Sequence, residues 1–146
     1  MKSNPTLQLS NLNYEGIKID QEFSFERLVD KQLVDEFAKL SGDFSPLHMD
    51  DSYAKTTKFG ERIAHGMLLA SFFSALVGML CPGKKGLYLS QTANFKNPCR
   101  LGDKLIVMGK IKSKSDSTRT LELSTIIKNT NGKILVDGSA MVKFLE

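Results

Sequence analysis

The chain has 146 residues, of which 41% are hydrophobic and 25% charged, and its formal net charge is +4. That length and balance suit one globular domain with a sizeable core, and they exclude a disordered or multidomain chain. The basic residues are scattered and form no stripe along any helix, which argues against nucleic acid as a partner, while a mildly positive field suits an anionic small molecule.

Residues 1–13 are polar, contain Pro5 and follow no period, so they read as a flexible N-terminal arm, with residues 14–146 forming the single domain. Lys2, Asn4, Pro5 and Gln8 break up any apolar run there, so no signal peptide is expected. A reducing, cytoplasmic compartment is the default that follows. Ile17, Ile19, Phe23 and Phe25 alternate with polar residues and predict a half-buried strand over 17–25. Asp30 is placed to cap a helix carrying Leu33, Val34, Phe37 and Leu40 on one face, and Gly42 to stop it. Residues 50–55 suit a single helical turn, and 56–64 a connecting loop around Gly60.

From Gly66 to Leu80 nearly every side chain is apolar or small, which predicts a helix enclosed on all sides, with Met67, Phe72, Phe73 and Met79 in the core. This run is shorter than the roughly 20 residues that span a bilayer, so no membrane span is expected. Cys81 and Cys99 have no metal-ligand spacing and read as buried free thiols. Beyond Pro82-Gly83, four segments rich in β-branched and aromatic residues, 86–95, 104–112, 120–128 and 134–144, predict strands. Asn131-Gly132 suits a tight hairpin, and residues 114–117 a looser turn. The expected class is α+β, an antiparallel sheet of about five or more strands curling around the apolar helix.

Two stretches carry candidate chemistry. In Ser41-Gly42-Asp43-Phe44-Ser45-Pro46-Leu47-His48, Pro46 stiffens a turn between a carboxylate and an imidazole, so that both can face one cleft as an acid–base pair. In Arg62-Ile63-Ala64-His65-Gly66-Met67, the Gly66 amide stands at a helix start, where it is unpaired and at the positive end of the dipole, suited to an oxyanion. His65 flanks that amide and reads as a brace for the loop. Ser71 and Ser74 on the helix suit bonds to the preceding turn. Lys84-Lys85 reads as a solvated turn.

Residues 37–48, Phe37-Ala38-Lys39-Leu40 followed by the acid–base stretch, resemble the signature of the MaoC-like, (R)-specific enoyl-CoA hydratase family. Gly60-Glu61-Arg62-Ile63-Ala64-His65-Gly66-Met67-Leu68-Leu69-Ala70-Ser71 and Asn94-Phe95-Lys96-Asn97-Pro98-Cys99-Arg100-Leu101-Gly102-Asp103 add to the resemblance, which runs from about residue 20 to the C-terminus. It implies a hotdog fold, a sheet wrapped around a long central helix, and a homodimer or higher oligomer with the active site near the subunit interface. It implies reversible hydration of trans-2-enoyl thioesters to (R)-3-hydroxyacyl thioesters, with Asp43 and His48 as the pair, Gly66 on the substrate carbonyl, and Ser45, His65 and Ser74 in support. No metal and no cofactor are expected beyond the CoA or acyl-carrier-protein handle of the substrate. One departure is Ser45, where the signature usually has Asn; a changed substrate class or reduced activity is compatible with it. The near alternative is a 3-hydroxyacyl-carrier-protein dehydratase, followed by a hotdog thioesterase or a non-catalytic acyl-thioester sensor.

Overall fold

The computed structural model describes residues 6–145. A 3-10 turn (Tyr14–Gly16) precedes β1 (Glu22–Val29), and three helices follow: α1 (Lys31–Ser41), α2 (Pro46–Met49) and α3 (Asp51–Lys55). The central helix α4 (Gly66–Ala75) runs on through a wider π turn (Leu76–Leu80) into β2 (Gly86–Gln91), β3 (Asn94–Phe95), β4 (Asp103–Ser115), β5 (Thr120–Asn129) and β6 (Ile134–Phe144). The strands form one antiparallel sheet in the order β1-β4-β5-β6-β2, with β3 also pairing β6. This is the expected α+β sheet around a central helix.

Local chemistry explains most element ends. Asp30 accepts from the Leu33 amide at 2.9 Å and opens α1, which Gly42 closes in a left-handed conformation at φ 84°. Leu33, Val34 and Ala38 are buried against the core, but Leu40, expected there too, is 85% exposed. The first strand begins five residues later than its alternation suggested. Asp20 adopts a positive φ, and the Gln21 side chain accepts from the Lys18 amide, so residues 18–21 form a turn. Ile17 and Phe25 consequently serve two different apolar clusters. The stretch 86–95, expected as one strand, is two, with Gly138 opposite the break; a Cβ on Gly138 would lie 1.9 Å from the Thr92 carbonyl oxygen.

The sheet carries register shifts within the β4–β5, β5–β6 and β2–β6 pairs, and such bulges let it curl over α4. Phe72, Phe73, Leu76 and Val77 are buried between helix and sheet, each stabilising by roughly 1.5–3 kcal/mol on a transfer basis. The enclosure is not complete. Met67, 63% exposed, and Ser71, Ser74 and Gly78 leave one stripe of the helix open, so Met67 is not a core residue.

Of the arm expected over 1–13, residues 1–5 lie outside the described residues. Ser10 bonds to the Met79 carbonyl and the Lys84 amide, and Asn11 bridges Gly83. Among the described residues no helix is long and apolar enough to cross a membrane.

Candidate active site

Asp43 sits in the short link between α1 and α2, and its position follows from a chain of local bonds. Its amide donates to the Ser41 hydroxyl at 3.1 Å, and its Oδ1 accepts from the Ser45 amide at 3.0 Å, so the carboxylate is aimed by a turn of its own chain. Pro46 then begins α2 with a preset φ, and His48 lies on that helix. The His48 Nδ1 lies 2.8 Å from the Ile63 carbonyl. A carbonyl oxygen can only accept, so Nδ1 carries a proton, and in the neutral ring the lone pair is on Nε2.

The segment 62–65 is sewn into place between α2 and the chain before β4. Arg62, 5% exposed, donates from Nε to the His48 carbonyl and from its terminal nitrogen to Asp35 on α1 at 3.0 Å. The Ala64 amide donates to the Cys99 carbonyl at 2.8 Å, and Ile63 bridges Arg100. His65 is 2% exposed; its Nε2 donates to the Asp43 carbonyl at 2.9 Å while its ring stacks on His48 with centroids 4.1 Å apart. Burial pushes the His65 pKa below the usual histidine range, ahead of any nearby charge. A neutral ring beside His48 does not oppose a proton arriving there.

Gly66 heads α4 with no side-chain cap from His65, so its amide is among the helix-start donors that lack a partner in the preceding turn. Phe95 packs over its Cα, where a Cβ would come within 2.8 Å of the ring. Asp43, His48, His65 and Gly66 line one cavity of about 610 Å³, closed inward by Leu69, Leu135 and Val136. Donor atoms of Asp43, His48 and His65 lie within 4.8 Å of one another, a span over which one water can bond to the carboxylate and the imidazole together. A divalent cation held there would use the same lone pairs that proton transfer needs, because His48 Nδ1 and His65 Nε2 are already committed to carbonyls.

Ser45 meets the Asp43 carboxylate through its amide, and its hydroxyl makes no cap bond to α2; Ser74 is on the open stripe of α4 and is not among the residues lining the cavity. Lys85 bonds to the Asn13 side chain, away from the cavity. The cavity instead takes Lys58, Phe59, Phe95 and Lys96, which lie in a loop and a two-residue strand where no period marks them. Cys99 also lines it, and burial pushes its thiol up to about 12, which disfavours the thiolate form a nucleophile needs.

The fold and the site place the chain in a family: residues 14–132 match the MaoC like domain, and the protein belongs to it. The architecture is the hotdog fold. An (R)-specific enoyl-CoA hydratase of Aeromonas caviae is 36% identical over 132 residues, spanning 90% of this chain and 98% of the relative. A 3-hydroxybutyryl-CoA dehydratase of Methylorubrum extorquens is 32% identical, spanning 93% and 86%. The crystallised R-hydratase of Pseudomonas aeruginosa superposes with a TM-score of 0.90 at 36% identity, spanning 95% of this chain and 89% of that one.

Proposed function

We propose that this protein is an (R)-specific enoyl-CoA hydratase, adding water reversibly to trans-2-enoyl thioesters. The observation that carries the reading is the convergence of Asp43, His48 and Gly66 on one cavity. Similarity along nearly the whole length of a hydratase supports it. A water bonded to the Asp43 carboxylate and to His48 Nε2 loses a proton to the pair as its oxygen attacks C3. The C2–C3 π electrons move toward the thioester, whose oxygen takes up negative charge against the Gly66 amide. The captured proton is returned to C2, so the pair ends as it began, and dehydration is the same path reversed. His65 acts as a positioning residue, tying the Asp43 carbonyl to the segment that presents Gly66. Neither step draws on a metal or on any cofactor beyond the substrate's own handle. A cytoplasmic setting suits the two buried free thiols.

The test is a mixture of the pure protein with crotonyl-CoA, following loss of the conjugated enoyl absorbance beside release of free thiol. Hydration gives the first signal without the second, whereas a thioesterase gives thiol. Asp43→Asn and His48→Ala are each expected to lower kcat by about a hundredfold or more, the usual scale for a lost proton-transfer group. Parent rates in both variants would reject the assignment.

A second copy of the chain is the partner we assign to the open stripe of α4. The neighbouring edge strand β2 supports this: among the described residues it pairs with β6 alone, and it exposes Leu87 (45%) and Leu89 (52%).

A further inference from the structure

A second cavity, of about 300 Å³, lies between β1, α1 and α4 and shares no lining residue with the active site. Its walls include Phe25 and Arg27 of β1, Leu33 and Phe37 of α1, and Leu68 and Phe72 of α4. Phe37 stands between the two sites: it lines this cavity, and its ring meets His65 edge-on with centroids 5.0 Å apart.

Arg27 is out of place among these neighbours. Side chains two apart on a strand share a face, so Arg27 stands in line with Phe25 and Val29, both buried, and it pairs across β4 with Leu105, buried as well. Its guanidinium packs 5.0 Å from the Phe72 ring centroid, and its Nε is shut off from water without a hydrogen-bond partner. Of the four arginines in the chain, Arg62, Arg100 and Arg119 hold Asp35, Glu61 and Glu15. Arg27 alone holds no carboxylate among the described residues. Burial pulls its pKa down, and the charges of Asp30 and Glu36 offset this only in part. Those two carboxylates are engaged elsewhere, Asp30 by the Leu33 amide and Glu36 by the Gln32 side chain.

The fork of a guanidinium is matched by a carboxylate, which takes two of its N–H groups at once. A singly charged head suits this cavity best, because Glu36 also lines it and repels a dianion such as phosphate more strongly. Behind that charge the walls are apolar, and Leu40, in the same lining and 85% exposed, gives an alkyl chain further surface to cover. The volume is at the lower end of small-molecule sites, roughly 300–1,000 Å³, which keeps that chain short.

We propose that Arg27 and this cavity form a second binding site, for the carboxylate and alkyl chain of a short aliphatic acid. The site shares no residue with the hydratase reading, so either can fail without the other.

The probe is hexanoate, titrated into the isotope-labelled protein while backbone amide resonances are followed, with hexanol as the uncharged counterpart. Saturable shifts centred on Arg27, Leu33 and Phe72 are expected. Arg27→Met, which keeps an apolar stem, should weaken hexanoate about tenfold and leave hexanol unchanged. Glu36→Gln reads the same site through an exposed side chain without touching Arg27, and should tighten hexanoate about twofold by removing a competing charge. Lack of saturation overturns the proposal, whether Arg27 is only an inward charge that guards the β1 edge or a second copy of the chain closes the cavity. Equal affinity in Arg27→Met, weaker binding in Glu36→Gln, or shifts centred on Gly66 and Phe95 overturn it too, the last by assigning the acid to the active site.

Discussion

Position 45 shows how much a backbone group can do that a side chain was expected to do. The family signature usually carries Asn there, yet the bond that aims the Asp43 carboxylate comes from the Ser45 amide. Ser45 has φ −53°, which proline tolerates, but the ring methylene takes the place of the amide hydrogen, so Ser45→Pro both deletes that donor and pushes the Asp43 carboxylate from its aim. It is expected to lower kcat by at least about tenfold, the scale of one charged hydrogen bond, while Ser45→Ala costs much less; steady-state kinetics on both variants decide it. Equal losses would move the role to the hydroxyl. His65 leaves a different mark. Its folded pKa lies below the ordinary 6.5, so as pH falls from that value the unfolded chain takes up a proton that the folded chain refuses. The stability His65 contributes is thus complete above 6.5 and is lost as pH drops toward the lowered folded value. Urea midpoints measured across that window should fall in the parent and fall less steeply in His65→Gln, which keeps a neutral donor for the Asp43 carbonyl.

Among the elements, α1 was legible to its ends because its signals are local: a capping carboxylate, a repeating apolar face and a glycine stop, all within the helix itself. Strand β1 was not, since its true course, Glu22–Val29, includes Glu26 and Arg27 and is set by pairing with β4 rather than by its own alternation. The link from α1 through α2 to α4 depends on Arg62, whose guanidinium joins Asp35 to the His48 carbonyl. Hydrogen bonding by Lys31, and then by Arg62, holds the Asp35 carboxyl below the usual range. Replacing Arg62 by Met takes the guanidinium donor from the His48 carbonyl and leaves Asp35 with Lys31 alone. The expected loss is about 2 kcal/mol, reduced from the fully buried case because Asp35 is partly solvated, and it should appear as a lower urea midpoint with unchanged m. A lower kcat at saturating substrate should accompany it, because the His48 ring, to which the proposed mechanism assigns the water, is carried by the same turn.

For the whole molecule, an apolar helix suggested complete enclosure, and the fold of one chain leaves a stripe of α4 and the β2 edge open instead. Leu89→Asp places a charge on that edge. For the proposed dimer it is expected to shift the protein toward monomer in light scattering and lower its activity together, whereas an unaltered mass would count against this edge as the proposed subunit contact. Helix caps, glycine stops, the Asn131-Gly132 turn, strand-rich texture and the pairing of Asp43 with His48 around Pro46 could all be read from sequence, because each depends on residues a few positions apart. Strand order, the break at Gly138, the stacking of His65 on His48, and the arrival of Lys58, Phe95 and Lys96 at the cavity were decided only by tertiary structure. Those neighbours lie tens of residues apart, and it is the curl of the sheet over α4, a property of every strand at once, that brings them together.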